Sequence, residues 1–424
     1  MAAGIGDVTL LVNAAETVTC AGPARARRGT EMRDAGVRRG IGVAMQQERI
    51  VAVDADDAIR AQYPAARVVD CAGGLLAPGF VDSHTHALFG KARHEEQELR
   101  ATGVPYLEIA RRGGGIHASV RDLRERSDDD LAALTVPRLR RLVAGGVTTV
   151  EIKSGYGLST QDELRSLRVI AGLASSESVR IVATCLGAHE VPLEYRDAAG
   201  GRDEWIRVLA GDLFPRVVQD GLAQFADVFC EPGVFTVEES RRIVSAAGKL
   251  GLQLKLHADE LRDGGGAALA AEVGAVSADH LAAVSEAGIT ALAQSDTVAV
   301  LLPATMLFLG TGRQAPARAL ISAGVPVALA TDLNPGTSPL QSFPLLLTLA
   351  VSELRLSAAE AWVAATVNGA AALGLAGSVG QLAPGFSADV ALHDVDDYRA
   401  LPYWFGERLC RTSWARGRAC HSRE

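Results

Sequence analysis

From residue 75 to residue 335 the chain keeps switching between two patterns. Short apolar runs, "LLAPGFVDSHTH", "GVTTVEIKSGYG", "VRIVATCLGAHE", "FADVFCEPG", "LQLKLHADE", "AVSADHL", "DTVAVLLPA" and "PVALATDLNPG", read as strands. Between them lie longer stretches with helical periodicity, among them "DDDLAALTVPRLRRLVAGG", "TVEESRRIVSAAGKLG" and "ARALISAGV". Strands separated by helices predict parallel β/α units, since a parallel neighbour is reached only by a crossover. Eight such units predict an α/β protein with a (β/α)8 TIM barrel, here over residues 78–377. In that fold chemistry collects at the C-terminal ends of the strands, so polar residues there are the first candidates for a site.

The two ends are built differently. "TLLVNA", "GIGVAMQQERIVAVDA" and "ARVVDCAGG" near the start, and "GQLAPGFSADVALHDV" and "RTSWARGRAC" near the end, read as short strands, with "ARARRGTEMRDAGVRRG" as a charged loop. Residues 1–77 and 378–424 are therefore expected to form one composite β-sandwich domain. At 424 residues and 48% hydrophobic, the chain has ample material for a barrel and a smaller domain together. The net charge of −8 argues against nucleic acid or an anionic membrane as a partner. "MAAGIGDVTLLVNAAETVTC" lacks the basic start and apolar block of a signal peptide, and no apolar run reaches the ~20 residues of a membrane span. The six cysteines are scattered without paired spacing, as expected of reduced thiols in a cytoplasmic protein.

The polar residues fall at the predicted strand ends. Strand one ends in His84 and His86, strand two in Lys153 and Tyr156, strand three in His189, and strand four in Cys230 and Glu231. Strand five carries His257 and Glu260, strand six Asp279 and His280, and strand eight Asp332. Residues two apart in a strand share a face, so His84 and His86 can reach one ion. Each residue alone has a plainer reading: a polar strand end, the start of a turn at "DLNPG", a helix cap. Together, His84, His86, His257 and Asp332 on one rim make a nitrogen/oxygen site suited to zinc or iron.

These segments resemble the amidohydrolase superfamily: "PGFVDSHTH" its strand-one His-x-His motif, "ATDLNPG" its strand-eight aspartate, and "GQLAPGFSADVALHD" its return to a terminal β-sandwich. "HTHALFGKARHEEQELRATGVPYLEIARRGGGI", "EIKSGYGL", "LGAHEVP", "FADVFCEPGVF", "LKLHADE", "SADHL" and "ATDLNPGTSP" resemble the imidazolonepropionase family within it, from about residue 75 to about residue 390. The resemblance implies a hydrolase of histidine degradation that opens the cyclic amide of 4-imidazolone-5-propanoate to N-formimidoyl-L-glutamate. It implies a metal held by His84, His86, His257 and Asp332, with Glu260 as general base and then acid, and His280 polarising the carbonyl. Arg93 would take the substrate propionate, with Tyr156 and His189 on the ring. Asn334, Gly336 and Thr337 would receive the carboxylate formed on ring opening. Many superfamily members bridge two metals with a strand-four lysine; "ADVFCE" has none, so one divalent ion, Zn2+ or Fe2+/Fe3+, is expected. A homodimer follows from the resemblance alone.

A deaminase of a small heterocycle would share the same ligands, and a non-catalytic barrel is the remaining rival. Arg93, Tyr156 and His189 favour a small carboxylate-bearing ring over the first, and the complete ligand set opposes the second. Tyr106 is a weaker pocket candidate. "RRGGGI", residues 111–116, follows no strand and reads as a flexible loop near the pocket rather than a phosphate cradle. "GKAR" places Lys91 where the family has a small residue, and "PYWFGERL" departs from the usual terminal segment.

Overall fold

The structure, a computed structural model, describes residues 8–104, 108–109 and 113–423. The N-terminal strands are β1 (Val8–Val12), β2 (Glu16–Val18), β3 (Val37–Arg38), β4 (Ile41–Gln46), β5 (Arg49–Ala55), β6 (Arg67–Asp70) and β7 (Leu75–Pro78). Then come β8 (Phe80–Asp82), β9 (Val147–Lys153), β10 (Arg180–Ala188), β11 (Phe225–Cys230), β12 (Gln253–Ala258), β13 (Ser277–His280), β14 (Val298–Leu301) and β15 (Val327–Leu329). The chain ends in β16 (Val390–His393), β17 (Cys410–Ala415) and β18 (Arg418–Ser422).

Strands β8 to β15 form one parallel sheet in sequence order, the (β/α)8 barrel expected from the alternation. The eight runs picked from the sequence each hold one of these strands. The helices between them begin where local chemistry satisfies their free N–H groups. Ser159 Oγ accepts from Asp162 N at the head of helix Thr160–Ser176, and Thr236 and Glu239 form a capping box at the head of Val237–Lys249. Closure between the first and last strands lies just past their regular ends. Asp82 accepts from the backbone N–H and the hydroxyl of Thr331 at 2.9 and 2.6 Å. Beyond it, His86 N donates to Leu333 O and Asp332 N donates to His84 O. The seam of the barrel and the segment carrying three expected ligands are thus the same hydrogen-bonded stretch.

The two ends of the chain share sheets, as their patterning implied. β7 pairs antiparallel with β16, and the order β18-β17-β16-β7-β2-β3 mixes strands from both termini. The second sheet, β5-β4-β1-β6, packs on it through Leu11, Val43, Met45, Ile50, Leu76, Val390, Leu392 and Trp414. Two local expectations differ. The charged segment before β4 is not a plain loop: it holds the short helix Gly29–Arg33, with Met32 fully buried and Arg25 paired to Glu31 at 2.7 Å. One methionine among charges carries no periodicity, so its burial left no pattern to read. The described end of "RRGGGI" is anchored: Gly115 N donates to Glu96 Oε1 and starts helix Ile116–Glu125. Residues 111–112, Tyr106 and the first seven residues lie outside the described residues. Among those described, no helix is long and apolar enough to cross a membrane, and all six cysteines are free thiols.

Candidate metal centre and active site

His84 and His86 just past β8, His257 within β12 and Asp332 just past β15 converge at the C-terminal end of the barrel. His257 Nε2 lies 3.3 Å from His86 Nε2, and Asp332 Oδ1 lies 3.4 and 3.5 Å from Nε2 of His84 and His86. Four ligands at tetrahedral bond lengths of ~2.1 Å are separated by about 3.4 Å, so these spacings match the edges of such a shell. His84, His86 and His257, and likewise His84, His280 and Asp332, bring donor atoms within 4.8 Å of one another.

The surroundings set the protonation of these groups. His84 Nδ1 donates to Asp279 Oδ2 at 2.6 Å, which leaves its Nε2 with a lone pair facing the centre. That Nε2 is buried and has no hydrogen-bond partner among the described residues. His257 Nδ1 lies 3.1 Å from Asp227 Oδ2, which directs its Nε2 inward in the same way. Burial first, then Lys153 and the neighbouring rings, holds His84 well below the ordinary histidine range; burial does the same for His86. His84 and His86 therefore offer neutral imidazole nitrogens, one of them unpartnered among the described residues, and with His257 and Asp332 they form a buried nitrogen/oxygen set that fits a divalent cation. β11 carries no lysine, and Lys153 is engaged in ion pairs beneath the rim, so the residues present fit one ion.

Asp332 reaches this position in a left-handed conformation (φ 52°), and His280 in another (φ 78°). Such backbone costs about 1–3 kcal/mol each and persists where surrounding bonds over-determine it. Here Thr305 Oγ1 donates to Asp332 Oδ2 at 2.7 Å, and Asn334 Nδ2 to Asp332 O at 2.8 Å. Burial is the main reason the Asp332 carboxyl is pushed up to about 6.

A cavity of about 550 Å3 opens above the cluster. Glu260, His280, Arg93, Tyr156, His189, Asn334 and Thr337 all line it. Glu260 Oε2 lies 3.7 Å from His280 Nδ1. Burial, then Asp332 and Glu231, pushes its carboxyl well above the usual range. Both ring nitrogens of His280 are unpartnered among the described residues, and burial keeps the ring neutral. His189 Nδ1 donates to Gly155 O at 2.9 Å, so its Nε2 is an acceptor; burial lowers its pKa to about 3. The ring stacks on His86 at 5.0 Å, beside Tyr156.

Arg93 is not the surface arginine that its charged neighbourhood could suggest. Its side chain is 8% exposed, and its nearest carboxylate, Glu96, is 3.9 Å away. Nε and Nη1 are buried with no hydrogen-bond partner among the described residues. Gly336 packs flat on this guanidinium: a Cβ there would sit 1.2 Å from Nη2. The rest of the turn is arranged differently from the simplest reading. Asn334 Oδ1 accepts from the N–H groups of Gly336 and Thr337 at 2.8 and 2.7 Å, so in this state those groups hold the turn together. Lys91 does not line the cavity; it is exposed and pairs with Glu95 at 3.3 Å.

Residue-type reasoning did not find Asp227 or Glu151, and assigned no role to Asp279 or Lys153. All are fully buried inside the barrel. A faint signal existed: charged residues inside otherwise apolar strands ("VEIK", "FADVF", "LKLHA") need partners if the strand is buried.

A parallel barrel with buried nitrogen and oxygen donors and an acid beside them at its carboxyl rim defines the class of metal-dependent barrel hydrolases. The chain belongs to the amidohydrolase family, whose model matches residues 75–410. Within it the relatives are imidazolonepropionases. That of Symbiobacterium thermophilum is 46% identical over 96% of both chains, and that of Geobacillus kaustophilus is 44% identical over 94% of both. Among solved structures, an adenosine deaminase from Xanthomonas campestris with bound zinc superposes with TM-score 0.74 at 22% identity, covering 97% of this chain and 92% of that one. E. coli guanine deaminase gives 0.73 at 17%, covering 98% and 100%. At that identity the likeness concerns the fold.

Proposed function

We propose that this chain is a hydrolase of histidine degradation, opening the cyclic amide C–N bond of 4-imidazolone-5-propanoate to give N-formimidoyl-L-glutamate. Full-length similarity to imidazolonepropionases supports the reaction. The observation that carries the substrate is Arg93, a buried guanidinium with donors unpartnered among the described residues, in the wall of the cavity that holds the histidine cluster. Leaving such a donor unmatched is costly, so a ligand with a carboxylate is favoured over a bare purine or pyrimidine.

His84, His86, His257 and Asp332 would hold one divalent ion, zinc or iron. When bound, that ion supplies a Lewis acid that lowers the pKa of a coordinated water from 15.7 toward about 7. The chain's own groups do the rest. Arg93 pairs with the propionate and sets the ring's position. His189 Nε2 accepts from a ring N–H, and Tyr156 packs beside it. Glu260 takes a proton from the attacking water as its oxygen adds to the carbonyl carbon, then returns that proton to the ring nitrogen as the C–N bond breaks. Neutral His280 donates to the carbonyl oxygen as negative charge builds there. The Asn334–Thr337 turn would receive the new carboxylate.

The test follows loss of the ultraviolet absorbance of freshly made imidazolonepropionate. Turnover is expected for the metal-loaded wild type. It should collapse on chelation and fall by ~10²–10⁴ in Glu260→Gln, with metal content unchanged. Absence of turnover by the metal-loaded wild type would overturn the substrate; turnover of an aminated ring in its place would make the chain a deaminase.

A further inference from the structure

Beneath the rim, where barrels of this kind normally pack aliphatic side chains, this one buries a row of charges. Glu151, Lys153, Asp227, Lys255 and Asp279 each have no exposed side-chain surface. Lys255 Nζ donates to two backbone carbonyls, Ser83 O and Ala372 O, both at 3.1 Å. It also stands 3.8 Å from Glu151 Oε1, on the side away from the rim. Lys153 is placed differently. Its Nζ is 2.6 Å from Glu151 Oε1, 2.8 Å from Asp227 Oδ2 and 3.8 Å from Asp279 Oδ2. Asp279 Oδ2 is the atom that receives His84 Nδ1, and Asp227 Oδ2 is the atom beside His257 Nδ1. One ammonium therefore sits between the two carboxylates that orient two histidines on opposite walls of the barrel.

Its place is fixed from behind. Glu151 accepts from Thr184 Oγ1 at 2.6 Å and from Thr85 N at 3.1 Å, and Lys153 N donates to Thr85 O. Thr85 lies between His84 and His86, so the backbone that carries those histidines is tied to the same pair. Removing one member of a buried ionic group leaves its partners uncompensated, and outer partners of histidine ligands typically set metal affinity by 10–100-fold.

We infer that Lys153 is a positioning residue for the metal centre: it acts as the shared counter-ion of Asp227 and Asp279, and through them presents His257 and His84 to a single cation. This rests on the metal site proposed above. The role is electrostatic and geometric; Lys153 itself touches neither substrate nor ion.

Zinc affinity of the purified full chain, measured by competition with a chromophoric chelator, tests it without recourse to turnover. Lys153→Met should bind zinc at least tenfold more weakly than wild type, with far-ultraviolet circular dichroism unchanged. Thr297→Val, which removes a buried hydroxyl bond to Ala275 O elsewhere in the barrel and touches no member of the charged row, should bind within about twofold of wild type. Asp227→Asn should weaken binding too, and K153M/D227N should be weaker than Asp227→Asn alone by less than the full Lys153→Met factor, since only the Asp279 branch is left for the lysine to serve. The double variant also removes an opposed pair of charges, so it keeps the test open if Lys153→Met does not fold. Wild-type affinity in Lys153→Met, or losses that add in the double variant, would overturn the inference. A wild-type chain that binds no zinc would instead overturn the metal site.

Discussion

At the scale of single residues, the site is organised by what burial forbids. Neutral His84, held by Asp279, keeps a free lone pair because no donor among the described residues reaches it. Among the described residues, Arg93 Nε and Nη1 find no hydrogen-bond partner, since Glu96 stands 3.9 Å away. Those donors are an energetic liability without an anion, and charge-assisted bonds of this type contribute about 1.5–3 kcal/mol each. Replacing Arg93 with methionine should therefore cut kcat/KM by ~10- to 100-fold. The loss should appear chiefly in KM, with zinc content unchanged, and steady-state kinetics on a ring lacking the propionate should show little difference between the two proteins.

At the scale of elements, a turn and a seam hold those residues in place. Asn334 folds the 334–338 turn onto itself, and the absence of a side chain at Gly336 lets Arg93 lie against it. Gly336→Ala should push the guanidinium aside and lower kcat/KM at least tenfold, while metal content and melting temperature stay near wild type. A large loss of stability with normal kinetics would show that the turn, and not the arginine, needs the glycine. The strands could be read from periodicity, and the gathering of His84, His86, His257 and Asp332 at their ends from residue type. The turn's internal bonds could not, because Asn-Pro-Gly-Thr is compatible with either a self-bonded turn or one open to a ligand. Nor could the burial of Met32 or the charged floor of the barrel.

At the scale of the whole molecule, two observations couple the parts. The proposed ligands come from strands far apart in the chain, so an ion bound there would stabilise the closed barrel by mass action. Chelation should lower the melting temperature by several degrees and zinc restore it; free zinc at 1,000 times its Kd corresponds to about 4 kcal/mol. The second observation is His393 on β16, fully buried beside Phe80 and Trp362 where the terminal sheet meets the barrel. Neither ring nitrogen has a hydrogen-bond partner among the described residues, and burial lowers its pKa from 6.5 to about 4. The unfolded chain takes up this proton below pH 6.5, while the folded one does not until about pH 4. This group's contribution is thus fully present above pH 6.5 and lost as pH falls toward 4, by about 3 kcal/mol. His393→Leu should show a smaller drop in melting temperature between pH 7.5 and pH 5 than wild type, with both proteins metal-free. An equal drop would place the acid sensitivity elsewhere.

The alternation of apolar strands and amphipathic helices by itself determined the barrel, because only crossover connections can lay such strands side by side. It also put the histidines and Asp332 at strand ends. What tertiary structure alone decided is which charges meet. Lys153 and Glu151 are neighbours on one strand, but Asp227 and Asp279 reach that lysine from two others. Partners across a barrel interior are separated by 74 and 126 residues of chain (227 − 153 and 279 − 153) and leave no local period. Barrel closure brings them within ion-pair distance, and burial in a medium of low polarity makes that distance matter.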